Sequence, residues 1–394
     1  MASPPESEAG QGAALELGAP PDLLIAAVSA RMLAAASRRA GWQAAALDLF
    51  ADTDTRALGS CARVEAAGEG LRFDGWSLLA AARAPERRGL PLVAGTGFEE
   101  DTDLLAALAE GRPLLGNAPE VVRRVKDPFV LAETLRRLGV PHPPVARTNP
   151  GKGGWLRKRA GGSGGWHIRP AEDDALEGEM AEPGSYFQRR QTGEPVSLLF
   201  LADGTRALPV GFSAQWTCPA PESPFRYGGA AGPLVLPDWL SGLLSGWVAR
   251  VTAAFGLRGL NAADFLVEGD RAWLVEVNPR PSATLEIFDR DPMPPLLALH
   301  AAACAGDLPD ALPPLPGARA AGILYAERTM TVPDGLDWPN WTADRPGPGP
   351  IQAGAPVCTV TADGATSAAA RTSLMDRMDG LRARLAGLFE TETG

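Results

Sequence analysis

The chain has 394 residues, a formal net charge of −10 and 45% hydrophobic residues, enough for two or three domains with buried cores. The acidic balance argues against nonspecific nucleic-acid binding. No run of about 18 apolar residues occurs, so no membrane-spanning helix is predicted. Glu6, Glu8 and Glu16 near the N-terminus are not expected in a signal peptide.

Cysteine and histidine are few. Cys61, Cys218, Cys304 and Cys358 are far apart and form no Cys-x-x-Cys pair, so neither a zinc site nor a disulfide framework is predicted. A cytoplasmic protein is the simple expectation. With 3 histidines in the chain, a His-rich metal site is not expected.

The first third of the chain predicts a disordered tail and then a small domain. Residues 1–20 are rich in Pro, Gly, Ala, Ser and Glu, which is typical of a disordered tail. Strands are predicted at residues 23–28, 44–50, 90–94 and 113–115. Helices are predicted at residues 29–40, 76–83 and 104–110, the first capped by Ser29 and the last by Asp101 and Thr102. This alternation predicts a doubly wound α/β domain. Gly95 and Gly97 do not complete a Gly-x-Gly-x-x-Gly motif, so a turn after a strand is favoured over a dinucleotide site.

A glycine-rich loop follows a connector. Residues 119–138 are predicted to be helical with a break near Asp127 and Pro128, and residues 139–144 to be extended. A strand at residues 155–159 ends in Arg157, Lys158 and Arg159, and a second strand is predicted at residues 166–168. The glycines between them suit a loop that covers phosphates with its main-chain N–H groups. A flexible hairpin tip is the alternative.

The rest of the chain alternates strands with helices. Strands are predicted at residues 186–190, 195–201 and 208–214, and residues 219–233 are predicted to form a lid-like loop. A helix at residues 240–255 precedes a β-hairpin. After a helix at residues 294–305, the C-terminal part contains strands near residues 321–325 and 357–361 and a final helix at residues 372–389.

The hairpin carries the most specific chemistry. Gly269 and Asp270 are turn residues between two apolar runs. Asp264 opens the first strand, and Glu276 and Asn278 lie on one face of the second because their spacing is two residues. Two carboxylates and an amide form a hard-oxygen cluster that suits Mg²⁺. Arg280 falls on the same side and can hold a phosphate or a carboxylate. The alternative is that these polar residues are simply solvated at strand ends.

The order of these features resembles the ATP-grasp superfamily of carboxylate–amine ligases and carboxylases. The most specific pieces are GLNAADFLVEGDRAWLVEVNPR and KRAGGSGG. The resemblance spans roughly residues 22–305. It implies an α/β chain with an N-terminal doubly wound domain (21–118), an ATP-grasp domain (119–306) and a C-terminal β/α extension (307–394). The ATP-grasp domain would comprise a nucleotide-lid subdomain (119–192) and a metal and substrate subdomain (193–306) that clasp ATP.

The resemblance also implies a role for each matching position. Lys158 would bind the α- and β-phosphates of ATP, and Arg280 would stabilise an acyl phosphate. Two Mg²⁺ ions, or Mn²⁺, would be held by Asp264, Glu276 and Asn278. The loop over the phosphates would be Gly161, Gly162, Ser163, Gly164 and Gly165. The hinge beside adenine would be Gln188, Arg189, Arg190 and Gln191, with Glu194 a weaker candidate for the ribose.

One position departs from the family pattern. Many members have a lysine where this chain has Pro128. Lys126 lies two residues earlier and is expected to point elsewhere on the helix, so phosphate binding would depend mainly on Lys158.

Within the superfamily, the sequence looks closer to the small ligases of methanofuran-type cofactor pathways, such as the archaeal tyramine–glutamate ligase. This implies glutamate as the acid, an aromatic or furan amine as acceptor, and homodimers as a common state. Arg280, Ser282 and Glu286 would lie near the acid, and Arg226 and Tyr227 near the lid. A carboxylase, a kinase-like phosphotransferase and a nonenzymatic nucleotide-binding protein are the alternatives. Residues 281–286 read PSATLE, where biotin carboxylases have an HPVTE-like run.

Overall fold

A computed structural model describes residues 22–68, 71–151, 153–171 and 178–390. The predicted disordered tail lies outside the described residues. In the part of the chain that is described, no helix has both the length and the apolar character needed to cross a bilayer.

The N-terminal unit is a five-stranded parallel sheet flanked by helices, which confirms the predicted doubly wound arrangement. The strand order is β3-β2-β1-β4-β5. Its elements are β1 (Leu23–Ala27), α1 (Arg31–Arg39), β2 (Ala44–Asp48), α2 (Thr53–Leu58), β3 (Ser60–Arg63), α3 (Gly75–Ala82), β4 (Leu92–Ala94), α4 (Thr102–Ala109) and β5 (Leu114–Leu115). The order reverses between β1 and β4, so the loops after these strands border a crevice.

Two predicted details of this unit differ in the structure. Ser29 does not cap α1, because its hydroxyl donates to Asp344 at 2.8 Å, and Ala30 occupies the N-cap position. Strand β2 ends at Asp48 rather than at residue 50, since the Asp48 carboxylate accepts hydrogen bonds from the main-chain N–H groups of Phe50 and Ala51. The predicted cap at Asp101 is confirmed, with the N–H of Leu104 donating to it at 2.9 Å.

Two helices lead from this unit into the next sheet. They are α5 (Pro119–Lys126) and α6 (Pro128–Leu138), and the predicted break between them is confirmed. Asp127 is extended and its carboxylate caps α6. A four-stranded antiparallel sheet follows in the order β6-β9-β7-β8, with strands β6 (Val145–Ala146), β7 (Trp155–Arg159), β8 (Arg169–Pro170) and β9 (Ser185–Arg189). The predicted strand at residues 166–168 is wrong: these residues form turns before β8.

The large sheet has eight strands in the order β14-β13-β10-β11-β12-β15-β19-β17. Its strands and the remaining elements are β10 (Glu194–Asp203), β11 (Ala207–Thr217), β12 (Tyr227–Gly232), α7 (Asp238–Phe255), β13 (Arg258–Glu268), β14 (Arg271–Asn278), α8 (Leu285–Phe288), α9 (Leu296–Cys304), β15 (Ala318–Tyr325), β16 (Met330–Val332), β17 (Thr342–Ala343), β18 (Gly349–Ile351), β19 (Pro356–Gly364) and α10 (Ser367–Glu390). The predicted irregular loop at residues 219–233 is wrong in its second half, which is β12.

The C-terminal part of the chain extends this sheet. Strand β15 pairs with β12, with Gly229 opposite Gly322, and α10 packs its buried Leu374 and Met378 over the added strands. A Cβ at Gly229 would approach the main-chain oxygen of Ala321 to 2.6 Å, so glycine lets the two strands come together.

The N-terminal unit is joined to the large sheet by a buried ion cluster. Arg31 of α1 contacts Glu286 of α8 at 2.6 Å and Asp344 at 3.2 Å. Asp344 also accepts a hydrogen bond from Thr359 at 2.6 Å. One guanidinium therefore neutralises two carboxylates from distant parts of the sequence.

We expect Arg31→Met to destabilise the protein by about 3–5 kcal/mol, because it leaves two largely buried carboxylates without their cation. The free energy of unfolding in urea measures this loss. The matched control is Arg38→Met on the same helix, where the arginine is exposed and the expected change is within about 0.5 kcal/mol. Equal effects of the two substitutions would contradict a specific role for the cluster.

Candidate functional site

The hairpin of β13 and β14 brings the predicted metal ligands together. Asp264 and Glu276 are directly opposite in the register, and Asn278 faces Ala262. The Asn278 side-chain N–H donates to Asp264 at 2.9 Å. Asp264 lies within the long strand β13 rather than at its start. The turn at Gly269 and Asp270 is confirmed.

Lys126 points into this cluster, so the expectation that it points elsewhere is wrong. Its ammonium group contacts the Glu276 carboxylate and donates to the Asn278 side-chain oxygen at 3.2 Å. The expectation assumed one continuous helix through Asp127 and Pro128. Helix α5 instead ends at Lys126, so the direction of its side chain cannot be derived from the position of Pro128. Only 5% of the Lys126 side chain is exposed.

Lys158 lines the same cavity as Lys126. Its ammonium group donates to the side-chain oxygen of Gln188 at 3.1 Å, and burial lowers its pKa although Glu276 and Asp264 act to raise it. The cavity is lined by Lys126, Pro128, His142, Lys158, Gly161, Gly162, His167, Gln188 and Glu276, among others. Five predicted positions therefore border one space: Lys158, Gly161, Gly162, Gln188 and Glu276.

The charges in and beside the cavity influence one another. Burial acts to raise the pKa of Glu276, but Lys126 and Lys158 lower it to about 2. Burial and the nearby Glu276 raise the pKa of Asp264. The two lysines thus stabilise the charged form of Glu276 more than that of Asp264. An additional cation would reduce the repulsion between the two carboxylates.

The glycine loop packs against two other segments of the chain. Gly161 leaves no room for a Cβ beside the main chain of Glu99, and Gly165 leaves none beside the carbonyl of Phe225. The main-chain N–H of Tyr227 donates to the carbonyl of Gly164 at 2.9 Å. Ser163 lies half-buried between these contacts. The loop is therefore held at both of its ends.

The hinge residues separate into an inner and an outer group. Gln188 is buried, with His142 and Lys158 beside it. The guanidinium groups of Arg189 and Arg190 lie over the rings of Trp155 and Phe225, both at 5.8 Å. Gln191 is half-buried, whereas Glu194 is exposed at the first position of β10.

Arg280 is held by Glu99, a residue that the sequence did not single out. Its guanidinium contacts the Glu99 carboxylate, which also accepts hydrogen bonds from the N–H groups of Gly97 and Phe98. Burial acts to raise the pKa of Glu99, but Arg280 and Lys126 hold it below its usual value. The signal was present, because GTGFEED follows a parallel strand where such domains bind ligands.

The residues proposed for the acid and the lid lie at different places. Glu286 is paired with Arg31 at 2.6 Å in the ion cluster described above, and its place beside the acid stays a prediction. The buried Ser282 hydroxyl bonds Thr284 at 2.7 Å. Arg226 lies 3.6 Å from the centre of the Tyr325 ring and donates to the carbonyls of Cys218 and Gly354 at 2.9 Å. Tyr227 is half-buried and contacts the glycine loop through its main chain.

The donor set fits a magnesium ion by its chemistry. Glu276 and the Asn278 side-chain oxygen already share one cation, the ammonium of Lys126, and Asp264 adjoins them. No three His, Cys, Asp or Glu side chains of the described residues are grouped to hold an ion. The predicted donor set here consists of two carboxylates and one amide. Carboxylate and amide oxygens are suitable ligands for Mg²⁺.

Comparisons with known proteins support the fold. Residues 125–284 match the family model of the ATP-grasp domain. No curated protein matches the chain in sequence. A biotin carboxylase from Campylobacter jejuni, solved with β,γ-ATP, has a TM-score of 0.67 and 15% identity over 87% of each chain.

Two further structures have the same fold. The biotin carboxylase domain dimer of the Hydrogenobacter thermophilus 2-oxoglutarate carboxylase, solved with MgADP, ADP and bicarbonate, has a TM-score of 0.66 and 12% identity over 87% of this chain and 86% of that one. Pyruvate carboxylase from Rhizobium etli has a TM-score of 0.68 and 13% identity over 91% of this chain and 37% of that one. The predicted ATP-grasp fold is therefore confirmed, whereas the resemblance to a tyramine–glutamate ligase stays a prediction.

The histidines provide a test of burial, His142 and His167 in the cavity and His300 outside it. Burial lowers the pKa of His142, His167 and His300 to about 4. We expect the three Cε1–H NMR signals to stay at the shifts of neutral rings from pH 8 down to about 5.5, below the usual pKa of about 6.5.

The same shifts determine the sign of the pH effect on stability. Because the folded pKa lies below the unfolded value, each histidine's contribution is complete above pH ~6.5 and is lost as the pH falls toward ~4, up to about 3 kcal/mol per ring. A signal that titrates near pH 6.5 would contradict burial of that ring.

Proposed function

We propose that this protein is an ATP-dependent ligase that activates a carboxylate as an acyl phosphate and joins it to an amine, forming an amide. The observation that carries the proposal is the single cavity in which Lys126, Lys158 and Glu276 meet beneath the glycine loop. Two ammonium groups beside a carboxylate pair suit a triphosphate bound with a divalent cation. The ATP-grasp match over residues 125–284 supports this assignment.

The reaction has two steps. A carboxylate oxygen attacks the γ-phosphorus of ATP, the bond to the bridging oxygen breaks, and ADP leaves. The amine nitrogen then attacks the acyl carbon, phosphate leaves with the bonding electrons, and the nitrogen loses a proton. Phosphorylation is needed because a carboxylate alone has no adequate leaving group.

The residues of this chain would act by positioning and by charge. Lys158 and Lys126 would hold phosphate oxygens, and the glycine loop would offer main-chain N–H groups to them. Arg280 would hold the carboxylate and its acyl phosphate, with Glu99 fixing the guanidinium. Asp264, Glu276 and Asn278 would hold Mg²⁺ or Mn²⁺, in two positions if both are filled, and the metal would neutralise charge that develops during phosphoryl transfer.

Glutamate is the acid that we propose, with an aromatic or furan amine as acceptor, in a methanofuran-type cofactor pathway. A second cavity lies beside Arg280 and includes Glu99, Gly95, Asn117 and Pro281. It adjoins the guanidinium that would bind a carboxylate, which makes it the better candidate for the acid than the region of Glu286. Ser282 follows Arg280 closely in the chain and stays a candidate for this site.

A carboxylase is the second candidate function. The solved structures with matching folds include biotin carboxylases that cover most of this chain, and one of them contains bicarbonate. Bicarbonate would then take the place of the organic acid in the same phosphorylation. Against it stands PSATLE at residues 281–286, in place of the HPVTE-like run of that family.

Product analysis tests these alternatives. The purified protein is incubated with Mg-ATP and either glutamate with a panel of amines, including tyramine and furan-methylamines, or bicarbonate with biotin. We expect amine-dependent ADP release and a glutamyl amide detected by mass spectrometry. Carboxybiotin instead would establish the carboxylase. The ligase proposal fails if Mg-ATP binds but no acid and amine combination yields ADP.

Replacing one carboxylate tests the role of the hairpin cluster. We expect Glu276→Gln to stay folded, since glutamine still offers an oxygen to Lys126, but to lower ADP release by at least about 100-fold, since the site loses a charge that phosphoryl transfer requires. The control is Asp270→Asn at the exposed hairpin turn, which should keep wild-type turnover. Comparable ADP formation by Glu276→Gln and the wild type would remove the metal-site assignment.

A further inference from the structure

His167 lies in the turn that follows the glycine loop. Its imidazole lines the same cavity as Lys126, Lys158 and Glu276. The sequence predicted a strand here, in which the alternation of side chains would decide the face of the sheet on which the ring lies. The turn instead brings it beneath the loop, next to Gly162.

A single hydrogen bond determines where the proton on this ring resides. The main-chain N–H of Arg159 donates to Nδ1 of His167 at 3.0 Å. A ring nitrogen that accepts a hydrogen bond carries no proton, so a neutral ring is protonated at Nε2. Burial lowers the pKa of His167 to about 4, against the effect of Glu276, and the ring is therefore a neutral donor at physiological pH.

The Nε2 donor has no partner within the described ranges, which distinguishes His167 from the other two histidines. His300 accepts from the N–H of Leu260 at 2.7 Å and contacts the carbonyl of Leu115 at 3.0 Å. His142 contacts the carbonyl of Leu274 at 2.7 Å and lies 3.5 Å from Gln188. Both rings use their two nitrogens inside the protein, whereas His167 uses one.

Gly162 fixes the position of the His167 ring. A Cβ at Gly162 would overlap the imidazole. Gly162 is not among the glycines with positive φ, so its backbone does not require glycine. The missing side chain makes space for the ring, which is held between the loop and the N–H of Arg159.

We propose that His167 is a binding residue for the triphosphate of ATP and donates a hydrogen bond from Nε2 to a phosphate oxygen. This rests on the proposed function, since it deepens the nucleotide site. A ligand that faces two ammonium groups and this N–H must present several anionic oxygens. A neutral donor adds a directional contact without adding charge beside Lys126 and Lys158, whose mutual repulsion a third cation would increase.

Calorimetry with nucleotides of different phosphate number tests the proposal. The ligands are AMP and a nonhydrolysable Mg-ATP analogue, and the variants are His167→Ala, His167→Gln and Gly162→Ala. We expect His167→Ala to weaken analogue binding by about 10- to 100-fold, the usual value of a hydrogen bond to a charged group. AMP binding should change by less than about twofold. His167→Gln keeps an N–H donor and should recover most of the affinity.

Gly162→Ala moves the ring without removing it and should cause the same loss, selective for the analogue. Its matched control is Gly242→Ala on α7, where a Cβ meets nothing within 4 Å and binding should be unchanged. Thermal unfolding verifies that each variant is folded.

Three outcomes overturn the inference. Unchanged analogue binding by His167→Ala shows that the ring makes no contact with the phosphates. Equal losses for AMP and the analogue show that the ring only supports the loop. Absence of analogue binding by the wild-type protein overturns the nucleotide site itself and with it the proposed function, which separates that failure from the first two.

Discussion

The site depends on mutual neutralisation of charges that are removed from water. A buried ammonium or carboxylate without a partner costs several kcal/mol. This cavity is lined by Lys126, Lys158 and Glu276, and the carboxylate of Asp264 lies close enough to influence their charges. The lysines come from the end of α5 and from β7, and the acids come from the hairpin. No one of these elements can bury its charge alone. Electrostatic pairing therefore fixes their relative positions, and a charged ligand meets groups that are already oriented.

Local sequence patterns predicted what a short segment determines by itself. Two-residue alternation placed Glu276 and Asn278 on one face, and Asp127 with Pro128 predicted the helix break. The direction of Lys126 was missed because it depends on that break rather than on helical periodicity. The pair of Glu99 and Arg280 is separated by 181 positions. The sequence around Glu99 indicates a ligand-binding loop after a parallel strand, but its pairing with Arg280 depends on how distant segments of the chain pack.

The C-terminal part of the chain is a second case in which local patterns were insufficient. Strand periodicity near Tyr325 predicts burial, but not what is buried against it. In the structure, the Arg226 guanidinium lies 3.6 Å from the centre of this ring and 5.3 Å from the centre of the Trp166 ring. The Tyr325 hydroxyl also donates to the carbonyl of Tyr227 at 2.9 Å. Strand β15, which extends the large sheet, thus contributes a ring that contacts Trp166, the residue directly after the glycine loop.

Glu99 links the two sides of the site through different atoms. Its carboxylate contacts Arg280, while its main chain packs against Gly161, where a side chain would not fit. A displacement of the glycine loop therefore changes the packing around Glu99. Because that carboxylate also accepts the N–H groups of Gly97 and Phe98, its position is rigidly coupled to the loop after β4. Glu99 thus orients the Arg280 guanidinium and also contacts the glycine loop. The proposed binding of phosphates and the proposed binding of the carboxylate therefore both depend on the position of Glu99.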